Sequence, residues 1–294
     1  MIPDAAFFER LSRLRLATGQ KSSMNLSGNR KSVQKGSSAE FSDFREYLPG
    51  DDIRRIDWNA YGRLDRLYVK EYMEEKEAVI SILLDTSASM EYGVRKKSET
   101  ACMLTAAFAY LGLNNMDRVL LYDMKRMQAP FAAAGGKKAL PRLTEWLEQR
   151  DFGGTIDIGT AVRQLPAKNQ GVTVLISDFL QEAFLNPEEE AMAKLLRFLD
   201  YKKQKVILLH VLAGEELSVA LTGTRNLIDM EEQTTLHVTL DSGSIRTYEK
   251  ALHVFLSRLR RESARTVAFY AVCNTETDIY QLIFQELRSC TEIV

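Results

Sequence analysis

Three stretches of this chain, residues 79–84, 172–176 and 206–212, are apolar at nearly every position. A strand with one face in water alternates apolar and polar side chains. Near-continuous runs of this length read instead as strands covered on both faces, the habit of a parallel sheet flanked by helices. Helical patterns separate them, over 99–113, 140–147, 157–165, 188–201, 248–261 and 278–287. Further strands are predicted at 119–122 and 266–272, with a hairpin return at 127–132. Together these predict an α/β fold, a doubly wound, mostly parallel six-stranded sheet.

Two interruptions break the alternation. Residues 225–228 and 235–240 look like strands flanking Asp229-Met230-Glu231-Glu232, a β-hairpin insertion. Before residue 75 the pattern is different again. Phe7, Phe8, Leu11, Leu14 and Leu16 suggest a short amphipathic helix, and residues 18–40 are rich in Ser, Gly, Asn and Lys. Pro49-Gly50-Asp51-Asp52 forms a turn, and residues 66–73 alternate as a half-buried strand. The expected division is a small N-terminal appendage over 1–74 and a larger α/β domain over 75–294, which 294 residues are enough to fill.

The two best-defined strands both end on an aspartate. Ile80-Ser81-Ile82-Leu83-Leu84 runs into Asp85-Thr86-Ser87-Ala88-Ser89, and Val172-Thr173-Val174-Leu175-Ile176 runs into Ser177-Asp178. In an open α/β sheet the crevice beyond the carboxyl ends of the strands is where ligands bind. Asp and Ser side chains there offer only hard oxygen atoms, the donor set suited to Mg²⁺, Mn²⁺ or Ca²⁺. The structural alternative is that Asp85 caps the next helix and the serines satisfy the turn.

The Asp-x-Ser-x-Ser spacing at 85–89 resembles the metal-ion-dependent adhesion site of von Willebrand factor A domains. Gly153-Gly154-Thr155-Ile156-Asp157 resembles the threonine loop of that site, and the strand ending on Asp178 its third loop. The resemblance implies Asp85, Ser87, Ser89, Thr155 and Asp178 as ligands of a divalent cation, with Mg²⁺ first. It also implies an open coordination position that a carboxylate of a client protein can fill. Asp157 reads as the cap of the helix that follows it.

A second block lies upstream. Phe44-Arg45-Glu46-Tyr47-Leu48-Pro49-Gly50-Asp51-Asp52-Ile53-Arg54-Arg55-Ile56-Asp57-Trp58, then Arg63 and Leu67-Tyr68-Val69-Lys70-Glu71-Tyr72, is similar to the signature of the bacterial family called domain of unknown function fifty-eight. Members of that family set this block before a von Willebrand factor A-like domain and occur beside AAA+ ATPases of the MoxR type. The resemblance runs from about residue 41 to the C-terminus. It implies a non-enzymatic, metal-dependent protein-binding adaptor whose partner is an AAA+ ATPase, acting in chaperone-like maturation or assembly. Many relatives carry N-terminal transmembrane helices, and no apolar run here approaches the length of one. Within the block, Arg54 and Asp57 are expected to join an internal ion-pair network beside Trp58.

Catalytic signatures are missing from the sequence. The three histidines, His210, His237 and His253, fall in no metal-binding spacing, and neither a Gly-x-Ser-x-Gly elbow nor a phosphate loop of the Gly-x-x-x-x-Gly-Lys type occurs. A metal-dependent hydrolase is therefore the weakest reading. Another alternative is a phosphate- or nucleic-acid-binding regulator. Residues 10–39 hold seven basic side chains and no acidic one, although the net charge of −1 gives no global attraction to nucleic acid. Three widely spaced cysteines, Cys102, Cys273 and Cys290, read as packed thiols. The opening Met-Ile-Pro-Asp lacks a basic segment followed by an apolar core, so a cytoplasmic protein is expected.

Overall fold

A computed structural model describes residues 5–12, 14–16, 40–73, 78–134, 136–166, 171–220, 223–231 and 234–293. By their contacts these form two units, Met1–Thr18 with Ala78–Val294, and Gly19–Glu77. The boundary at the start differs from the expected one. Helix α1 (Ala5–Leu11) and strand β1 (Leu14–Leu16) belong to the large unit, because Phe7, Leu11, Leu14 and Leu16 are all buried in its core. The predicted helix therefore stops at Leu11, and Leu14 and Leu16 lie in a strand instead. Most of the basic arm, 17–39, lies outside the described residues.

The smaller unit pairs β2 (Glu40–Glu46) antiparallel with a later strand, and a short helix α2 (Trp58–Leu64) lies between them. That later strand, β3, covers Tyr68–Met73. Asp57 caps α2, accepting hydrogen bonds from the backbone of Asn59 and Ala60. Ion pairs join Arg45 to Asp51 and Arg66 to Glu46, both at 2.9 Å, and Asp52 accepts from the Arg54 amide. Asp57 thus serves as a helix cap. Its position immediately before the first helical residue puts its carboxylate against unpaired backbone N–H groups.

The large unit continues with β4 (Val79–Leu84), α3 (Lys97–Asn114), β5 (Arg118–Asp123), β6 (Phe131–Ala133), α4 (Leu140–Glu148) and α5 (Ile158–Arg163). Next come β7 (Gly171–Ser177), α6 (Glu182–Leu185), α7 (Ala191–Tyr201), β8 (Gln204–Leu212) and α8 (Gly214–Leu217). The last elements are β9 (Gly223–Ile228), β10 (Thr235–Leu240), α9 (Ser242–Arg265), β11 (Phe269–Asn274), α10 (Ile279–Gln281) and β12 (Thr291–Ile293). Six strands form one sheet in the order β11-β8-β7-β4-β5-β6, parallel except at the β6 edge. The fold is mixed α/β with a mostly parallel central sheet, as the apolar runs predict.

Strand β4 explains why both faces are covered. Ile80, Ile82 and Leu84 enter one core, with α1, α3 and α4, while Leu83 enters the other, with α5, α7 and α9. Helix α3 is buried on nearly all sides, and Gly112 lets it sit close to the sheet. A Cβ there would come within 2.5 Å of Ile80 and 2.9 Å of Val119. The hairpin insertion is present as β9 and β10, paired antiparallel.

Other departures are local. Residues 187–201 do not form one helix. A short turn over Pro187–Glu189 ends at Glu190, which takes a left-handed conformation (φ 50°), and α7 starts after it. The last predicted helix is α10, continued by a wider π-helical turn over Leu282–Glu286. β12 pairs antiparallel with β1, joining the two ends of the chain's core, a long-range pairing that neither three-residue strand announces alone. Cys273 and Cys290 are packed in the core, and burial raises the Cys290 thiol to about 12. Among the described residues no helix is long and apolar enough to cross a membrane.

His210, in β8, is fully buried beside Phe179, Phe255 and Tyr270, and its Nδ1 lies 2.7 Å from the Tyr270 hydroxyl. Burial depresses its pKa to about 4. Between about pH 6.5 and 4 the unfolded chain binds a proton that the folded chain does not, so this residue's contribution to stability falls as pH falls through that window. Urea unfolding should therefore show wild type losing up to ~2 kcal/mol more than His210→Phe between pH 7 and pH 5. Equal losses in the two proteins would show that His210 is not held neutral.

Candidate functional site

Strand β4 sits where the strand order reverses. The chain passes from β4 to β5 on one side and later returns to lay β7 on the other. The carboxyl ends of β4 and β7 therefore bound the crevice in which open α/β sheets bind ligands. Asp85 and Asp178 are the first residues beyond those two ends, Asp85 directly after Leu84 and Asp178 directly after Ser177.

Asp85 is only 1% exposed, and hydrogen bonds satisfy both of its oxygens. Oδ1 accepts from the Ser87 amide (2.8 Å) and the Ser87 hydroxyl (2.6 Å). Oδ2 accepts from the Ser177 hydroxyl at 2.5 Å, a bond that links the ends of β4 and β7. The Ser87 and Ser89 hydroxyls are 3.0 Å apart. Burial, and then the nearby Asp178 carboxylate, raise the Asp85 pKa to about 6, and the Ser177 and Ser87 donors offset only part of this.

Asp178 is equally buried but differently compensated. Its Oδ1 accepts from the Leu180 amide at 3.1 Å, and its Oδ2 lies 2.7 Å from the Lys97 ammonium. Burial pushes its pKa up, but the charge and hydrogen bond of Lys97 outweigh that and hold it below the ordinary carboxylate range. The next residue, Phe179, is fully buried yet has φ 50°, a conformation costly for an aromatic side chain. The Ser177 hydroxyl accepts from its amide at 3.0 Å, so one serine fixes both the Asp85 carboxylate and this sharp turn.

The threonine loop is stitched to the first loop through its backbone. Ala88 N donates to Gly154 O and Gly153 N donates to Thr86 O, each at 2.9 Å. Gly154 has φ +66°, which its missing side chain permits. Asp123, at the end of β5, supports the join. It accepts from the Thr86 hydroxyl (2.6 Å) and from Arg150 (3.2 Å), while Lys125 Nζ donates to the carbonyls of Asp151 and Gly153. Thr155 lies in this loop with its side chain exposed. Asp157 caps α5, accepting from the Thr160 amide at 2.9 Å and the Thr160 hydroxyl at 2.6 Å, as the sequence predicts.

The structure thus brings Asp85, Ser87, Ser89 and Asp178 together and lays the backbone of the Thr155 loop against them. The signature block upstream and the loops of Asp85, Thr155 and Asp178 fall within a single family match. The family described as "Protein of unknown function DUF58" matches residues 43–254. The chain belongs to the DUF58 family. It is 28% identical over 187 residues to the uncharacterized protein Rv1480 of Mycobacterium tuberculosis and to the uncharacterized protein Mb1516 of Mycobacterium bovis. That alignment covers 61% of this chain and 59% of each of those proteins. Among solved structures it is similar to the conserved hypothetical protein BatB from Bacteroides thetaiotaomicron, at TM-score 0.39 and 17% identity, over 72% of this chain and 98% of that one. An aerotolerance-related membrane protein from Bacteroides fragilis also has TM-score 0.39, with 15% identity, over 72% and 99% of the two chains.

Sequence patterns do not single out two charged residues at the DUF58 site, Lys97 and Glu216. Lys97 Nζ bridges Asp178 and Glu216 Oε1, the latter at 2.8 Å. Burial raises the Glu216 pKa more than Lys97 and the Ala213 amide lower it. One signal was present. Lys97 opens an eighteen-residue helix, where the helix dipole disfavours a cation. The expected start at residue 99 is two residues late, since α3 begins at Lys97. Ser177 is also missed as a site residue, because a serine at the end of a buried strand reads as ordinary packing.

Donor chemistry gives the test of fit for a cation. Asp85, Asp178 and Glu216 are buried or largely buried, and with Glu231, hydrogen-bonded to Ser89, four carboxylates gather around one ammonium, a formal excess of three negative charges. All donors are hard oxygens, as Mg²⁺ requires. Among the described residues no three His, Cys, Asp or Glu groups form a metal-binding cluster, so any cation here depends on the serine hydroxyls. Ser177→Ala should cost ~1–3 kcal/mol by leaving Asp85 Oδ2 without its donor. It should also move the Asp85 titration above its wild-type position. Carboxyl-carbon NMR with urea unfolding measures both, and an unmoved Asp85 titration would mean the 2.5 Å bond does not set its charge.

Proposed function

We propose that this chain is a von Willebrand factor A-like, divalent-cation-dependent protein-binding adaptor. The observation that carries this reading is the convergence of Asp85, Ser87, Ser89 and Asp178 at the carboxyl ends of β4 and β7, where Ser89 also hydrogen-bonds Asp178. The backbone stitching of the Thr155 loop beside Ala88 supports it. The residues that would hold the cation are Asp85, Ser87, Ser89, Thr155 and Asp178, with Mg²⁺ the ion best matched to them and Mn²⁺ or Ca²⁺ as substitutes. A cation held mainly by neutral hydroxyls stays electron-poor and accepts a carboxylate oxygen from a partner.

The chain's own groups prepare that encounter. Ser177 and the Ser87 amide orient Asp85 so that its carboxylate is fixed before any ligand arrives. Ser87 is spaced from Ser89 by its contact with Asp85. Binding rather than catalysis is the simpler use of this geometry, because the Ser87 hydroxyl is already donated to a carboxylate that Ser177 also holds. The partner we propose is an AAA+ ATPase of the MoxR type, in a cytoplasmic maturation or assembly step.

Asp85→Ala should lose Mg²⁺-dependent capture of such an ATPase while remaining folded. Its side chain ends in a polar crevice, so no apolar cavity is left, and the lost hydrogen bonds cost ~1–3 kcal/mol, within the margin of a typical domain. Pull-down with Mg²⁺ or EDTA, paired with thermal melts, checks this. Unchanged, EDTA-resistant capture by a folded Asp85→Ala protein would sink the reading. Capture that survives EDTA and falls steeply with salt would favour recognition of an anionic partner by the basic arm instead.

A further inference from the structure

Lys97 is placed where several forces oppose a positive charge. Its side chain is 1% exposed, so the ammonium has lost its water. It also sits on the first residue of α3, where the helix dipole is positive. What holds it there is a pair of carboxylates, Asp178 at 2.7 Å and Glu216 at 2.8 Å, with the Tyr92 ring 5.8 Å away. Each carboxylate gives only one oxygen to Lys97. The other oxygen of Asp178 accepts from Leu180 N, and the other oxygen of Glu216 accepts from Ala213 N. Both carboxylates are therefore fixed by backbone on one side and face the ammonium on the other.

Two oriented carboxylates converging on one positive charge is the arrangement of a cation site, with the cation supplied by the chain. Asp178 is shared. It is the third-loop aspartate of the proposed cation site and the strongest partner of Lys97. A divalent cation drawing on Asp178 competes with the ammonium for the same charge.

Resting on the cation-site reading above, we propose that Lys97 is a built-in competitor cation that keeps the affinity of the Asp85–Asp178 site for divalent ions low. Low intrinsic affinity has a functional consequence. When the chain alone holds the cation weakly, the partner's carboxylate supplies the missing interaction, and cation and partner each raise the other's affinity by the same factor. The free chain then does not carry an active, ligand-hungry site. Glu216 acts as a positioning residue, drawing the ammonium part-way off Asp178.

The test uses Mn²⁺ alone, titrated calorimetrically into the full chain and into Lys97→Met, Glu216→Gln and Asp85→Ala. Lys97→Met should bind Mn²⁺ about tenfold more tightly than wild type, the scale on which changes beside a bound ion move affinity. It should melt below wild type in EDTA and recover when Mn²⁺ is added, because two carboxylates have lost their counter-ion. Glu216→Gln leaves the ammonium wholly to Asp178, so it should bind Mn²⁺ more weakly than wild type. A purely structural ion pair would lower stability in both variants without moving affinity in opposite directions.

Lys97→Met binding no tighter than wild type would overturn the inference, as would shifts of the same sign in both variants. Should Lys97→Met fail to fold in either condition, Glu216→Gln decides alone, and unchanged or tighter binding there overturns it. Asp85→Ala separates the two levels of reading. Mn²⁺ binding lost in Asp85→Ala but unaltered in Lys97→Met removes the competitor role and leaves the site. Equal binding by wild type and Asp85→Ala removes both.

Discussion

A carboxylate buried at the end of the central strand must find its hydrogen bonds within the protein. Asp85 meets that demand with the Ser87 amide and hydroxyl on one oxygen and the Ser177 hydroxyl on the other. Much of the local architecture follows. The Ser177 bond ties the end of β4 to the end of β7, and the same hydroxyl receives the Phe179 amide and supports its left-handed turn. Leaving any of these groups unpaired in a dry crevice costs more than the bond contributes when made. That asymmetry holds the loops in one arrangement.

The sheet supplies the crevice and the helices supply its dryness. Because β4 is covered on both faces, the two cores meet the site from either side, with α3 against one face and α5, α7 and α9 against the other. Gly112 seats the last turn of α3 against the amino ends of β4 and β5, while Lys97, on the first residue of the same helix, reaches Asp178 beyond the carboxyl end of β7. The charge that balances Asp178 is therefore delivered by packing rather than by a loop. Asp123 plays a quieter part at the end of β5, where Thr86 and Arg150 bind it and the neighbouring Lys125 holds the carbonyls of Asp151 and Gly153.

Two carboxylates in nearly the same setting are driven apart by their neighbours. Asp85 has only neutral donors and is raised to about 6, whereas Asp178 has an ammonium at 2.7 Å and is held low. Burial acts on both in the same direction, so the difference rests on what each oxygen touches. An acid pair split in this way leaves Asp85 held by neutral serine donors while Asp178 is held by the ammonium.

The sequence by itself determined the six-stranded, mostly parallel sheet, the hairpin insertion, the Asp157 cap and the placing of Asp85 and Asp178 just past two strand ends, while their grouping with Ser87 and Ser89 came from the family resemblance. The features so determined are written in local chemistry: apolar runs of strand length, turn residues at fixed offsets, and aspartates placed just past strand ends. Only the tertiary structure decided that β1 pairs with β12, that the first helix belongs to the large unit, and that Lys97 and Glu216 join the site. Leu14 and Leu16 fit a helical pattern as well as a strand, and the distant partner strand settles the choice. Lys97 and Glu216 are 119 positions apart in the chain. Their meeting depends on where a packed helix begins relative to the edge of a sheet, a distance in space that no spacing in the sequence records.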